Sequence, residues 1–336
     1  MFFRSKKTCV IKNSLIFSVL VICILFFFTL TIYGESIDLV AATINPEGGY
    51  LARSLIEFAE KIDERSNGQF KMKVFTSGQL GDASSLYESV IQGNLDIIMT
   101  DIGWFVEQNP VFEILETCYL FKNREHFKSI FNTPGKLEYF ENLLLEDPGL
   151  KMLYYTGGSE RDIISTFPIR SIDDLDGKTM RSKSTSTEME WWKLLGANPI
   201  PIAFNELFTA LQTGVVLGSQ NSPDAMIRMR FVEVCKYLAR TQHYLQTLAV
   251  VMNKSKFDSL PEELQKIILE VAREVQLKYI DIGFDEVDGN IKTIKEEYGL
   301  EITYPDKEPF IEVSRKQMWD LAKKYKVTDM VKEIFE

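Results

Sequence analysis

Arg181 ends the alternating run "GKTMRS" (177–182), and Ser182, Ser184, Thr185, Ser186 and Thr187 follow at once. A guanidinium carries its N–H donors in a planar fork, the geometry that grips a carboxylate through two parallel hydrogen bonds. At the end of a strand in an open α/β sheet, such a group would face the crevice where ligands bind. Most arginines are exposed and pair with a surface acid instead, so the sequence alone leaves both roles open. Other chemistries have less support. The two histidines, His126 and His243, fall in no metal-ligand spacing. There is no G-x-S-x-G elbow, no G-x-G-x-x-G and no phosphate loop. "SGQLGD" (77–82) has two glycines, but no lysine follows them. An enzyme is not ruled out, yet no motif points to one.

The elements that would position Arg181 follow from periodicity. "IDLVAAT" (37–43) and "FKMKVF" (70–75) read as strands. Between them, Leu51, Leu55, Phe58, Ala59 and Ile62 mark one face of a helix over 48–66. A helix over 83–92 and a buried strand over 95–100 complete a β-α-β-α-β unit, which implies a mainly parallel sheet. A second unit follows. Strands are expected over 151–155, 161–166, 178–182 and 215–219, and helices over 186–195 and 205–214, with Gly214 as the stop. From Pro261 to about Leu300 no proline interrupts a helical pattern that is long enough to brace two lobes. Trp191 and Trp192 read as core residues.

With 336 residues, 45% hydrophobic, the chain can build two ordinary cores. Its net charge of −10 comes without a basic block, which argues against a nucleic-acid partner. The N-terminus differs from the rest. Arg4, Lys6, Lys7 and Lys12 precede the uncharged run Ser14–Tyr33, the pattern of an export signal that is also long enough to span a bilayer. Residues 1–34 are therefore expected to be a signal peptide or a membrane anchor, and the working part to lie outside the cytoplasmic membrane. Without those residues the net charge is −14. Cys118 and Cys235, the two cysteines beyond the leader, could form a disulfide or be two buried thiols.

Several separated motifs resemble the solute-binding proteins of TRAP (tripartite ATP-independent periplasmic) transporters, over nearly all of residues 37–275. The most specific part is Ser171–Val216, "SIDDLDGKTMRSKS…LGANPIPIAFNELFTALQTGVV". "SGQLGD", "VIQGNLDI", "TQHY" (241–244) and "SLPEELQKII" (259–268) support it in the same order. The resemblance implies an α/β, two-lobed periplasmic-binding-protein-like fold with a long helix spanning both lobes. One lobe would hold 35–157 plus about 247–285, the other 158–246 plus about 286–336. Cys118 and Cys235 would then lie in different lobes, unpaired.

The same resemblance implies an organic acid as ligand, such as a sugar acid or a dicarboxylate, with Arg181 clamping its carboxylate. It carries further ligand contacts onto Arg161, Asn221, Phe204, Asp101 and Gln220. "LGSQN" (217–221) departs from the family's usual D-G-Q-E-N, with Leu217 replacing Asp and Gln220 replacing Glu. The loss of acids leaves more net positive charge for an anion. No cofactor, metal or nucleic acid is implied. The expected partners are the small acid and the membrane permease subunits of a TRAP transporter, and the chain is expected to be monomeric. A ligand sensor of the same fold and a diverged secreted enzyme are the alternatives.

Overall fold

The computed structural model describes residues 36–336; the leader expected over 1–34 lies outside them. Among the described residues no helix is long and apolar enough to cross a membrane. The strands are β1 (Ile37–Thr43), β2 (Phe70–Phe75), β3 (Ile97–Asp101), β4 (Leu150–Ser165), β5 (Thr179–Ser182), β6 (Asn198–Pro201), β7 (Gly218–Asn221), β8 (Tyr237–Asn253) and β9 (Glu301–Thr303). They form one nine-stranded sheet in the order β2-β1-β3-β8-β4-β7-β5-β6, with β9 also paired to β8.

Two lobes share this sheet. In the first, β1 lies parallel to β2 and β3, as the β-α-β-α-β reading requires. In the second, β5 lies parallel to β6 and β7. The long strands β4 and β8 run antiparallel through both, from Leu150 opposite Asn253 to Ser165 opposite Tyr237. Each lobe is covered on both faces, so alternate side chains of a strand enter different cores. Ile163 packs with Trp191 and Trp192, whereas its neighbour Ile164 packs with Leu207 and Phe231. In the first lobe, Leu55, Phe58 and Ile62 of the helix Tyr50–Arg65 join one core, and Phe112, Phe127 and Phe140 join the other.

Helix Glu262–Glu296 is 35 residues long, roughly 50 Å at 1.5 Å per residue. Leu264, Ile268 and Val275 pack into the first lobe, and Ile294 into the second. Where the helix crosses the sheet it comes unusually close. A Cβ on Gly283 would lie 2.0 Å from the carbonyl oxygen of Gly157 in β4, and one on Gly157 would lie 1.9 Å from that of Gln246 in β8. Gly157 has φ +132°, a conformation that other residues rarely adopt. Helix and both long strands thus meet backbone to backbone at the junction of the lobes.

The structure corrects several expectations. The strands expected at 151–155 and 161–166 are one strand, β4, with register shifts at Met152/Tyr154, Gly157/Glu160 and Arg161/Ile163. Those irregularities broke the alternation that would have revealed its length. β8 was not expected at all, because its near-continuous burial hides the period of two. The lobe division proposed for the chain is amended at its C-terminus. Helix Glu308–Lys324 begins on the second lobe with Phe310 but delivers Ala322 to the first, where Val331 and Phe335 of the last helix also pack. Cys118 and Cys235 are free and buried, but they do not lie in different lobes. Both pack in the second lobe, on opposite faces of its sheet.

Candidate functional site

A cavity of about 380 Å³ opens between the lobes. The carboxyl ends of β3, β5 and β7 supply Asp101, Arg181 and Asn221 to its wall, where an open α/β sheet presents its ligand sites. Arg161 projects from β4 just past the register shift, and Phe204 opens the short turn Phe204–Glu206 after β6. Five of the six expected positions therefore meet at one place. Gln220 does not line the cavity. Neighbours along a strand point to opposite faces, and with Asn221 turned to the cavity, Gln220 lies behind it and accepts a 3.4 Å hydrogen bond from Arg161.

Arg181 is buried, and its Nε donates to the carbonyl of Ile202 at 2.9 Å. Among the described residues its two terminal nitrogens have no hydrogen-bond partner and it forms no ion pair. Burial pulls the pKa of the guanidinium down; Glu188 and Asp101, neither of which pairs with it directly, act against that, and the nearby charge of Arg161 adds to it. Removal from water without a partner destabilises the charge. This arginine is the group in the wall that lacks an anion.

Its neighbours are paired. Arg161 Nη2 donates to Asp101 Oδ2 at 3.0 Å, and Lys183 Nζ to Asp101 Oδ1 at 2.8 Å. Lys183 also pairs with Glu116 and lies 3.7 Å from Glu188. Asp101 is a lobe-one residue held by two lobe-two cations, so these pairs cross between the lobes. Burial works against the charge of Asp101, but Lys183 and Arg161 outweigh it and hold the carboxyl well below its usual range. Glu116 goes the other way. Burial, with Asp101 and Glu188 close by, pushes its pKa up to about 7 against the pull of Lys183.

Lys183 was missed by sequence reasoning, although its signal was present: it stands two residues beyond Arg181, on the same side of an extended chain. Glu116 left no local signal, because only tertiary packing brings it to Lys183. Glu188 was also missed, although it stands in the first turn of the helix Ser186–Leu194, five residues on, and accepts from the backbone N–H of Lys183 at 3.3 Å. Asn45 and Gln246 also line the cavity. Asn221 Oδ1 is buried there without a partner among the described residues, an acceptor open to a ligand hydroxyl. Trp191 and Trp192 are core residues as expected; the first stacks on buried His243 with centroids 4.6 Å apart. No cluster of His, Cys, Asp and Glu suited to a metal ion occurs among the described residues.

Residues 41–324 match the family described as bacterial extracellular solute-binding protein, family 7 (DctP). The chain is 30% identical over 270 residues to the 2,3-diketo-L-gulonate-binding periplasmic protein YiaO of Escherichia coli, across 79% of this chain and 80% of that protein. It is 28% identical over 254 residues to the sialic acid-binding periplasmic protein SiaP of Vibrio cholerae, across 76% and 78%. Among solved structures, a TRAP periplasmic solute binding protein from a Sulfitobacter species with bound alpha-D-taluronate superposes with TM-score 0.84 at 25% identity, over 89% of this chain and 97% of that one. One from Pseudomonas putida with bound D-glucuronate gives 0.83 at 26% identity, over 89% and 96%.

Proposed function

The chain belongs to the TRAP transporter solute-binding proteins, family 7 of the bacterial extracellular solute-binding proteins, and from that premise we propose that it captures a sugar acid and delivers it to a TRAP permease in the membrane. Members of the family are the substrate-binding proteins of transporters and not enzymes, which sets the enzyme alternative aside. Arg181 would clamp the ligand's carboxylate. Asn221 would accept from a hydroxyl, Phe204 would cover an apolar face of the sugar, and Arg161 with Asp101 would meet the far side. The working position is outside the cytoplasmic membrane, as it is for the periplasmic relatives.

One observation carries this reading: Arg181 is a buried cation on the cavity wall with no anion of its own. The cavity, about 380 Å³, is of the size that small-molecule ligands occupy. Uronates are bound by the two solved structures named above. Closure over a carboxylate would give the guanidinium the partner it lacks, and removal of one member of such a pair costs about 2–5 kcal/mol.

Calorimetry with D-glucuronate and related hexuronates tests the proposal. Arg181→Ala should weaken binding about 30-fold or more. Arg181→Lys should also bind poorly, because an ammonium cannot reproduce the planar fork. Unliganded Arg181→Ala should melt no lower than wild type, since the charge removed is an unpaired one. An Arg181→Ala protein that folds and keeps wild-type affinity would overturn the clamp.

A further inference from the structure

The charges around the cavity are unequally occupied. Arg161, Arg181 and Lys183 are the cations on its wall, and Asp82, Asp101, Glu107 and Asp224 the carboxylates. Arg161 is committed to Asp101 at 3.0 Å. Lys183 is committed to Asp101 at 2.8 Å and to Glu116. Arg181 alone remains, and one guanidinium fork matches one carboxylate. Beyond it, the charged groups that a ligand meets are carboxylates or cations that already hold one. Asp101 stays ionised under the pull of Lys183 and Arg161, and Asp224 is tied to Arg228 at 2.7 Å. A second carboxylate on the ligand would have to displace Asp101 from both of its cations or lie against it without water between them.

We propose that the site is selective by charge: it takes an acid with one carboxylate and rejects a matched diacid, and Asp101 is the specificity-determining residue that sets the limit. The inference rests on the reading of Arg181 as the carboxylate clamp. It narrows that reading from organic acids at large, dicarboxylates included, to hydroxylated monoacids. The remaining wall suits such a ligand, since Asn45, Asn221 and Gln246 offer neutral donors and acceptors for hydroxyls. Loss of the charge at position 101 would leave Arg161 without its one ion-pair partner among the described residues, while Lys183 keeps Glu116 and Glu188, and a second ligand carboxylate could take the place beside Arg161.

The test is calorimetry on the protein with hexuronates, with D-gluconate and D-galactonate, and with the matched diacids D-glucarate and galactarate. The tightest monoacid should bind at least about 100-fold more strongly than any diacid, the size expected for like charges brought together in a desolvated site. In Asp101→Asn that gap should shrink at least 10-fold through tighter diacid binding; Asp101→Ser serves if the asparagine variant does not fold. A wild-type diacid affinity within 10-fold of the best monoacid would overturn the proposal. So would an unchanged gap in a folded Asp101 variant. A protein that binds a diacid tightly and still loses it in Arg181→Ala would overturn the charge limit while the clamp stands. A protein that binds none of these acids overturns both.

Discussion

One lysine cannot neutralise three carboxylates, and the way Asp101, Glu116 and Glu188 divide the charge of Lys183 has a measurable result. Asp101 is held ionised, whereas Glu116 titrates near 7, up from the ordinary 4.5. Below about pH 4.5 Glu116 is protonated in the folded and the unfolded chain alike. As the pH rises towards 7 the unfolded chain releases its proton first, so the folded state loses stability through that window and stays lower above it. Glu116→Gln removes the titration. The melting temperature of the variant relative to wild type should therefore rise between about pH 5 and about pH 8. A flat difference in differential scanning calorimetry would mean that Glu116 remains ionised against Lys183 throughout. At this scale the sequence was partly legible. The resemblance named Arg181, Arg161, Asp101, Asn221 and Phe204, which converge on one cavity. It also named Gln220, where the alternation of a strand turned one of two adjacent positions away. Glu116 could not be read, because residue 116 lies far from 183 in sequence and only the fold joins them, whereas Glu188 stood within reach in the first turn of the helix that follows Lys183.

The element that most constrains the molecule is the crossing of helix Glu262–Glu296 over β4. Contact between Gly283 and Gly157 leaves no room for a side chain on either. Gly157→Ala and Gly283→Ala should each destabilise the protein by about 2 kcal/mol or more, through overpacking against backbone and, at Gly157, through an unfavourable φ. Gly289 is the internal control: it lies exposed on the same helix, and a Cβ there meets nothing within 4 Å. Gly289→Ala should gain about 0.5–1 kcal/mol of helix propensity. Urea unfolding of the three variants decides this, and a Gly283→Ala protein as stable as wild type would mean that the crossing can open without loss. Isolated elements with one buried face, such as β2 and the helix Tyr50–Arg65, were plain from their periods. β4 and β8 were not, because they are buried on both faces and carry bulges where they pass from one lobe to the other.

For the molecule as a whole, ion pairs between Asp101 on one lobe and Arg161 and Lys183 on the other describe a closed arrangement. Two lobes joined by continuous strands and a helix can move as hinged bodies. Small-angle scattering should give a smaller radius of gyration with saturating hexuronate than without, and an unchanged profile would count against closure. The two-lobed architecture was legible from the doubled β-α-β pattern and the resemblance, but the course of the chain between lobes was not. β1 starts in the first lobe, with Ile37 packed beside its core, and the last helix returns there through Val331 and Phe335. Both ends of the described chain therefore ride on the same body. Fluorophores attached at the two ends would keep a constant separation and stay silent as the cleft shuts. A useful optical reporter needs one dye at either end and its partner on the far lobe, for example at exposed Val215. Tethering by either end to a sensor surface would leave that far lobe free to swing.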